Sequence, residues 1–185
     1  MPGSASQIGA LNVWDSRAIP HENAFSVYRE TVCNVFMPWT PEVIARETFY
    51  AHISSRTFPD AAVAKLKLGP LIASRTKSDI ANSAIDCVYA QYIVSGFMKV
   101  VLPQCETILA AGDLMLHDGA TPVRLQSNGV EYEVITCMIP KHQLACDDWL
   151  PSAILRQQTL ISPIRSCLSH FATNLETASS TELLA

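Results

Sequence analysis

Leu109-Ala110-Ala111-Gly112-Asp113-Leu114-Met115-Leu116-His117-Asp118-Gly119-Ala120-Thr121-Pro122 is the stretch whose reading decides the fold. Two short apolar runs, one ending at Leu109 and one over 114–117, are separated by Gly-Asp and followed by Asp-Gly and Pro. Gly112 can take the positive φ of a tight corner, and Asp113 can bond back to turn amides. Corners this closely spaced belong to short strands rather than to a helix.

The same texture extends in both directions, from Phe49 to Ile139. Short runs rich in Val, Ile, Tyr and Thr alternate with Pro-Asp, Gly-Pro, Ser-Gly and Ala-Gly-Asp breaks. The pattern predicts strands near 49–58, 61–68, 71–77, 87–95, 97–102, 106–109, 114–117, 122–126 and 131–139, with Ser78 to Ala84 as a non-strand excursion. Asn128-Gly129 predicts a hairpin joining Val123/Leu125 to Tyr132/Val134, and Asp118-Gly119 offers a similar turn. So many short strands favour a closed barrel or jelly roll, a mainly β fold.

Helices flank this region. Phe25, Tyr28, Val32, Val35 and Phe36 make a helical stripe over Pro20–Phe36, with Asn23 as the expected cap and Pro38 ending the helix after Met37. Beyond Ile139 the pattern turns helical again. Ser162-Pro163 is a helix start, with Ile164, Leu168, Phe171 and Leu175 on one face, a spacing that suits a dimer seam or burial within one subunit. Ser179 to Glu182 reads as a capping box opening a further helix just before Ala185, which is the pattern expected of a truncated chain.

Composition narrows the function classes. The 185 residues are 49% hydrophobic and 16% charged, enough apolar material for one core. Thirteen Lys and Arg against 17 Asp and Glu give a formal charge of −4 with no basic stripe, so this chain is expected to bind DNA poorly. Met1 to Ala10 lacks the pattern of a signal peptide and no apolar run reaches membrane-spanning length, from which a cytoplasmic protein with no membrane partner is expected. Cys33, Cys87, Cys105, Cys137, Cys146 and Cys167 form no CxxC pair and are expected to act as small buried hydrophobes.

Catalytic signatures are missing. His21, His52, His117, His142 and His170 are scattered, so no metal is expected, and His117 is read as structural or pocket-lining. Glu131 and Glu133 share one strand face, where solvent exposure explains them as well as acid–base chemistry does; Asp147-Asp148 reads as a solvated loop or helix start. There is no GxSxG, GxxxxGK[ST] or GxGxxG. What remains is an apolar barrel with a few polar side chains in its strands: Arg75, Tyr89, Gln91, Tyr92, His117 and Thr136. Strand parity puts Tyr89 and Gln91 on one face and Tyr92 on the other.

The order of these features resembles the amino-terminal AraC-binding-like domain of AraC-type bacterial transcription regulators, from about Trp14 to the end of the chain. Four stretches carry the resemblance: Ala24 to Glu30, Ser74-Arg75-Thr76, Val88 to Gly96, and Leu109 to Pro122, the last being the most specific. The strand ending Ile139-Pro140-Lys141 adds to it, with Lys141 where an Arg is common, a change that gives up bidentate contacts.

The resemblance implies a cupin-like double-stranded β-helix with an N-terminal helix and C-terminal helices. With a mobile start expected over 1–18, it implies an effector-binding barrel with its leading helix over 19–145 and a helical dimerisation segment over 146–185, cut before the helix-turn-helix units that bind promoter DNA. A non-enzymatic, cofactor-free homodimer responding to a small effector is therefore expected. Arg75, Tyr89, Gln91 and His117 are the expected ligand contacts, and Ile164, Leu168, Phe171 and Leu175 the expected dimer stripe. A metal-free cupin enzyme of isomerase type and a purely structural dimerisation domain are the rival readings.

Overall fold

The computed structural model describes residues 9–127, 131–144, 152–160 and 162–177. In chain order the elements are β1 (Leu11–Asp15), α1 (His21–Phe36), β2 (Thr40–Val43), β3 (Ala51–Thr57), β4 (Ala62–Leu68), β5 (Leu71–Arg75), α2 (Lys77–Ala81), β6 (Cys87–Ser95), β7 (Phe97–Val101), β8 (Glu106–Ala110), β9 (Leu114–Asp118), β10 (Val123–Gln126), β11 (Tyr132–Pro140), β12 (Ser152–Leu155) and α3 (Ser162–Asn174). The strands pair into a seven-stranded sheet, order β1-β3-β4-β11-β6-β9-β12, and a five-stranded sheet, order β2-β5-β10-β7-β8. The pairings are antiparallel, and the two sheets enclose the core as in a jelly-roll cupin fold.

Side-chain alternation divides the seven-stranded sheet into two apolar faces. Leu66, Leu68, Tyr89, Ile93, Met115 and Val134 point between the sheets, where α1 adds Ala24, Tyr28, Val32 and Phe36. Val63, Tyr92, Leu114 and Ile135 point outward and are covered by Leu160, by Ala172 of α3 and by Leu175 just after it. The parity expected for β6 is observed: Tyr89 faces the barrel interior and Tyr92 the helix.

Three edge strands depart from the sequence reading. The supposedly mobile start contains β1, paired with β3 from Leu11↔Arg56 to Asp15↔His52. Thr40–Val43 pairs with β5 despite Pro41, which an edge position tolerates. Ser152–Leu155 lies in the segment read as helical, yet pairs with β9. Each is a short strand whose partner lies far away in sequence, so local periodicity carries little trace of it.

The two tight-turn dipeptides do not make hairpins. β10 belongs to the five-stranded sheet and β11 to the seven-stranded sheet, so the strands around Asn128-Gly129 are not paired with each other; both turn residues lie outside the described residues. Asp118-Gly119 likewise joins β9 to β10 across the sheets, with the Gly119 amide donating to Cys87 O at 2.8 Å and Asp118 Oδ1 accepting from the Ala120 amide at 2.8 Å. Turn chemistry specifies a sharp change of direction, not which sheet the chain enters next.

The helix ends also refine the expectations. Pro20, not Asn23, stands at the N-cap of α1, and the Asn23 amide donates to Pro20 O. Met37 leaves the helix at φ 66, ψ −177, a left-handed φ with the extended ψ that a following proline demands. The non-strand excursion begins one residue earlier than the 78–84 reading, with α2 at Lys77, held by a capping box in which Thr76 Oγ1 accepts from the Asp79 amide and Asp79 Oδ2 accepts from the Thr76 amide. Cys87 is buried and Cys33 and Cys137 are half-buried, but Cys105 and Cys167 are exposed, contrary to the reading of all six as buried hydrophobes; Cys146, Asp147-Asp148 and Ser179–Glu182 lie outside the described residues. Among the described residues, no helix is long and apolar enough to cross a membrane.

Candidate ligand-binding site

Between the sheets, under α1, lies a cavity of about 50 Å³. Tyr28, Val32 and Phe36 of α1 form its roof, Trp39 closes one side, and Leu66, Leu68, Met98, Leu125, Tyr132 and Val134 supply apolar wall. Its polar contributions come from β6 and β11, where Gln91 and Thr136 are register partners on the inner face. Burial raises the pKa values of the Tyr28 and Tyr132 phenols, keeping both neutral. Among the described residues, no Asp, Glu, Lys, Arg or His lines the space.

Gln91 is the anomaly. Its side chain is 5% exposed and its Oε1 has no hydrogen-bond partner. An unpaired buried amide oxygen costs on the order of 1–3 kcal/mol, a cost that a hydrogen-bond donor bound beside it would remove. Only three buried side-chain atoms among the described residues share this condition: Trp14 Nε1, Gln91 Oε1 and His117 Nδ1.

The four expected contacts do not converge on the cavity. Gln91 lines it; Arg75, Tyr89 and His117 form an adjoining buried cluster behind Trp39. Arg75 is 1% exposed and donates from Nε to Gly119 O at 2.9 Å, from Nη1 to Pro38 O at 2.7 Å and from Nη2 to Ser83 Oγ at 2.7 Å. Its guanidinium also lies 5.4 Å from the Tyr89 ring centroid and 5.9 Å from that of Trp39. The Tyr89 hydroxyl donates to Phe36 O at 2.6 Å, and burial raises its pKa. These groups tie the carbonyls on either side of Met37 to the barrel, fixing the C-terminal end of the α1 roof.

His117 stacks on Tyr89, its register partner, with ring centroids 5.6 Å apart. Its Nε2 lies 3.0 Å from Thr121 O, which assigns the proton to Nε2 and leaves Nδ1 as the bare acceptor. Burial, opposed by the bond to Thr121, lowers its pKa to about 4, so the ring is neutral at ordinary pH. Among the described residues, no three His, Cys, Asp or Glu side chains gather closely enough to hold a metal ion. Glu131 and Glu133 form ion pairs with Lys67 and Lys65 at 3.0 and 2.9 Å on the outer sheet surface. Lys141 bridges Asp86 and Asp118 at 2.9 and 3.0 Å.

Sequence reasoning missed the α1 roof and Trp39 as parts of the site. The apolar stripe of α1 signalled burial without saying against what, and nothing around Trp39 signalled a cavity.

The expected dimer stripe is unevenly used within the subunit. Leu175 is completely buried, Leu168 and Phe171 pack half-buried against the outer face of the large sheet, and Ile164 is 44% exposed.

A jelly-roll barrel roofed by a helix, with one unpaired amide in an apolar interior, has the architecture of a small-molecule binding domain. The pattern that defines the AraC-binding-like domain matches residues 28–185, and the chain belongs to that family. Among solved structures it is similar to the AraC-like transcriptional activator CuxR, with a TM-score of 0.73 at 13% identity over 95% of this chain. The chain spans 65% of the length of that structure. Weaker likenesses include AerE from Microcystis aeruginosa (TM-score 0.43, 9% identity, 63% of this chain and 52% of that one) and KdgF from Halomonas sp. (TM-score 0.39, 18% identity, 60% of this chain and 91% of that one). No curated protein matches the chain.

Proposed function

We propose that this chain is the effector-sensing and dimerisation domain of an AraC-type transcription regulator, that it works without catalysis, and that promoter DNA is bound by a helix-turn-helix unit outside these residues. The observation that carries the reading is Gln91: a buried amide with an unpaired oxygen at a mainly apolar, uncharged cavity beneath a helix. Membership of the AraC-binding-like family and the net charge of −4 support the regulatory part. A catalytic reading requires a general acid and base at the cavity, and its wall offers a carboxamide, a hydroxyl and neutral phenols instead.

Signalling follows from the placement of the roof. A molecule larger than the present void must displace Tyr28, Val32 or Phe36, and α1 is tied through Met37 and Pro38 to the Arg75–Tyr89 cluster. Effector binding thus becomes movement of a helix, which pairing of two subunits through α3 can transmit to the DNA-binding units. Native mass spectrometry of the chain purified from its own cells tests the reading. A dimer carrying one small organic molecule per subunit is expected, with the molecule lost in Gln91→Leu. An empty chain that binds no metabolite extract, or one that binds promoter DNA specifically by itself, overturns it.

A further inference from the structure

The chemistry of the cavity wall also restricts its occupant. Resting on the reading of this cavity as the effector site, we infer that the effector is an uncharged molecule with a planar aromatic body and a carboxamide-like group that both donates and accepts a hydrogen bond.

Charge is excluded by the wall itself. Among the cavity-lining residues none is ionised, and burial keeps Tyr28 and Tyr132 in the phenol form. The buried cation Arg75 sits behind Trp39 with each of its nitrogens bonded to Gly119, Pro38 or Ser83. An ion moved from water into this space gives up its hydration with no partner to replace it, a penalty far larger than the gain from the surrounding apolar contact.

The donor-and-acceptor requirement comes from Gln91 and Thr136. The two face each other across β6 and β11, and the Gln91 carboxamide offers a bare acceptor beside its own NH₂. A ligand carboxamide satisfies both with two antiparallel N–H···O bonds; a carboxylate can only accept, and an ammonium can only donate. The aromatic body follows from Tyr28, Phe36, Trp39 and Tyr132, whose rings favour stacked or edge-on contact with another ring. A void of about 50 Å³ holds only a few waters, so a ring enters by lifting the roof. The lift falls on α1, whose end at Met37 is already held in a left-handed φ.

Benzamide, benzoate and benzylammonium form a matched set of one ring size with charges of zero, minus one and plus one. Titration of the whole chain, followed by ligand-observed NMR and thermal unfolding, is expected to show benzamide binding at least tenfold more tightly than either ion. Gln91→Leu, which replaces an unpaired amide by apolar atoms and so is expected to fold, should weaken benzamide at least tenfold. Gln91→Glu should transfer the preference to benzylammonium. Equal or tighter binding of benzoate or benzylammonium to the native chain overturns the inference and leaves the cavity as an effector site. Benzamide binding that survives Gln91→Leu overturns it as well. If none of the three binds, the molecule retained by the purified chain decides: an uncharged carboxamide or its equivalent upholds the inference, a charged molecule overturns it, and an empty chain overturns the effector reading too.

Discussion

Arg156 Nη1 lies 2.8 Å from Asp113 Oδ2, joining the connector after β12 to the corner between β8 and β9. The same carboxylate accepts from the Ala110 amide at 3.0 Å and from the Gln157 amide at 2.9 Å, while Arg156 also reaches Ile108 O and Thr107 Oγ1. Burial pushes the Asp113 carboxyl up, but these bonds outweigh it and its pKa is lowered. The Gly-Asp motif therefore does more than turn the chain: it holds the segment leading to α3 against the barrel. Asp113→Ala strands a half-exposed cation and two amides, and is expected to cost about 2–3 kcal/mol. Arg156→Ala, at a side chain 43% exposed, is expected to cost nearer 1 kcal/mol. Urea unfolding midpoints check both values and their order.

Gly112 stands beside this link at φ 88, and a Cβ there would meet the Gln157 side chain at 2.8 Å. Gly112→Ala combines left-handed strain of roughly 1–2 kcal/mol with displacement of Gln157. A fall in the unfolding midpoint temperature of several degrees is expected, read by calorimetry. An unchanged midpoint would show that the corner relaxes freely.

His117 sets a pH dependence. The folded chain keeps the ring neutral down to about pH 4, whereas the unfolded chain protonates it near its ordinary value of 6.5. The unfolded state thus binds more protons between these values, and stability falls as pH drops from about 6.5 to about 4. The loss approaches about 3 kcal/mol at the lower end. His117→Gln keeps a donor for Thr121 O but does not titrate, so the slope of stability against pH in this window should flatten.

Pairing through α3 is tested at Ile164 rather than at Leu168 or Phe171. The latter two pack against their own subunit's sheet, where a charge unfolds the cluster whether or not a dimer forms. Ile164 is exposed, so Ile164→Glu is expected to keep the circular dichroism of the native chain while converting a dimer to a monomer in sedimentation. A dimer that persists places the seam elsewhere.

Much of the barrel was legible before any tertiary information. Val-, Ile- and Tyr-rich runs marked β3 through β11, the stripe from Phe25 to Phe36 marked α1, and strand parity put Tyr89 and Gln91 on one face and Tyr92 on the other. These features depend on backbone geometry, whose period is local and is written into neighbouring residues. The Gly112 corner was legible for the same reason, because only glycine takes that φ without strain.

Only the tertiary structure decided which elements meet. β1, β2 and β12 are strands because a distant edge receives them, and β10 and β11 enter different sheets although Asn128-Gly129 between them suggests a hairpin. It likewise separated Gln91, which lines the cavity, from Arg75, Tyr89 and His117, which cluster beyond Trp39. A side chain's type states which hydrogen bonds it can make; whether they are already made depends on groups tens of residues away, brought to within 3 Å only by the register of the folded sheets.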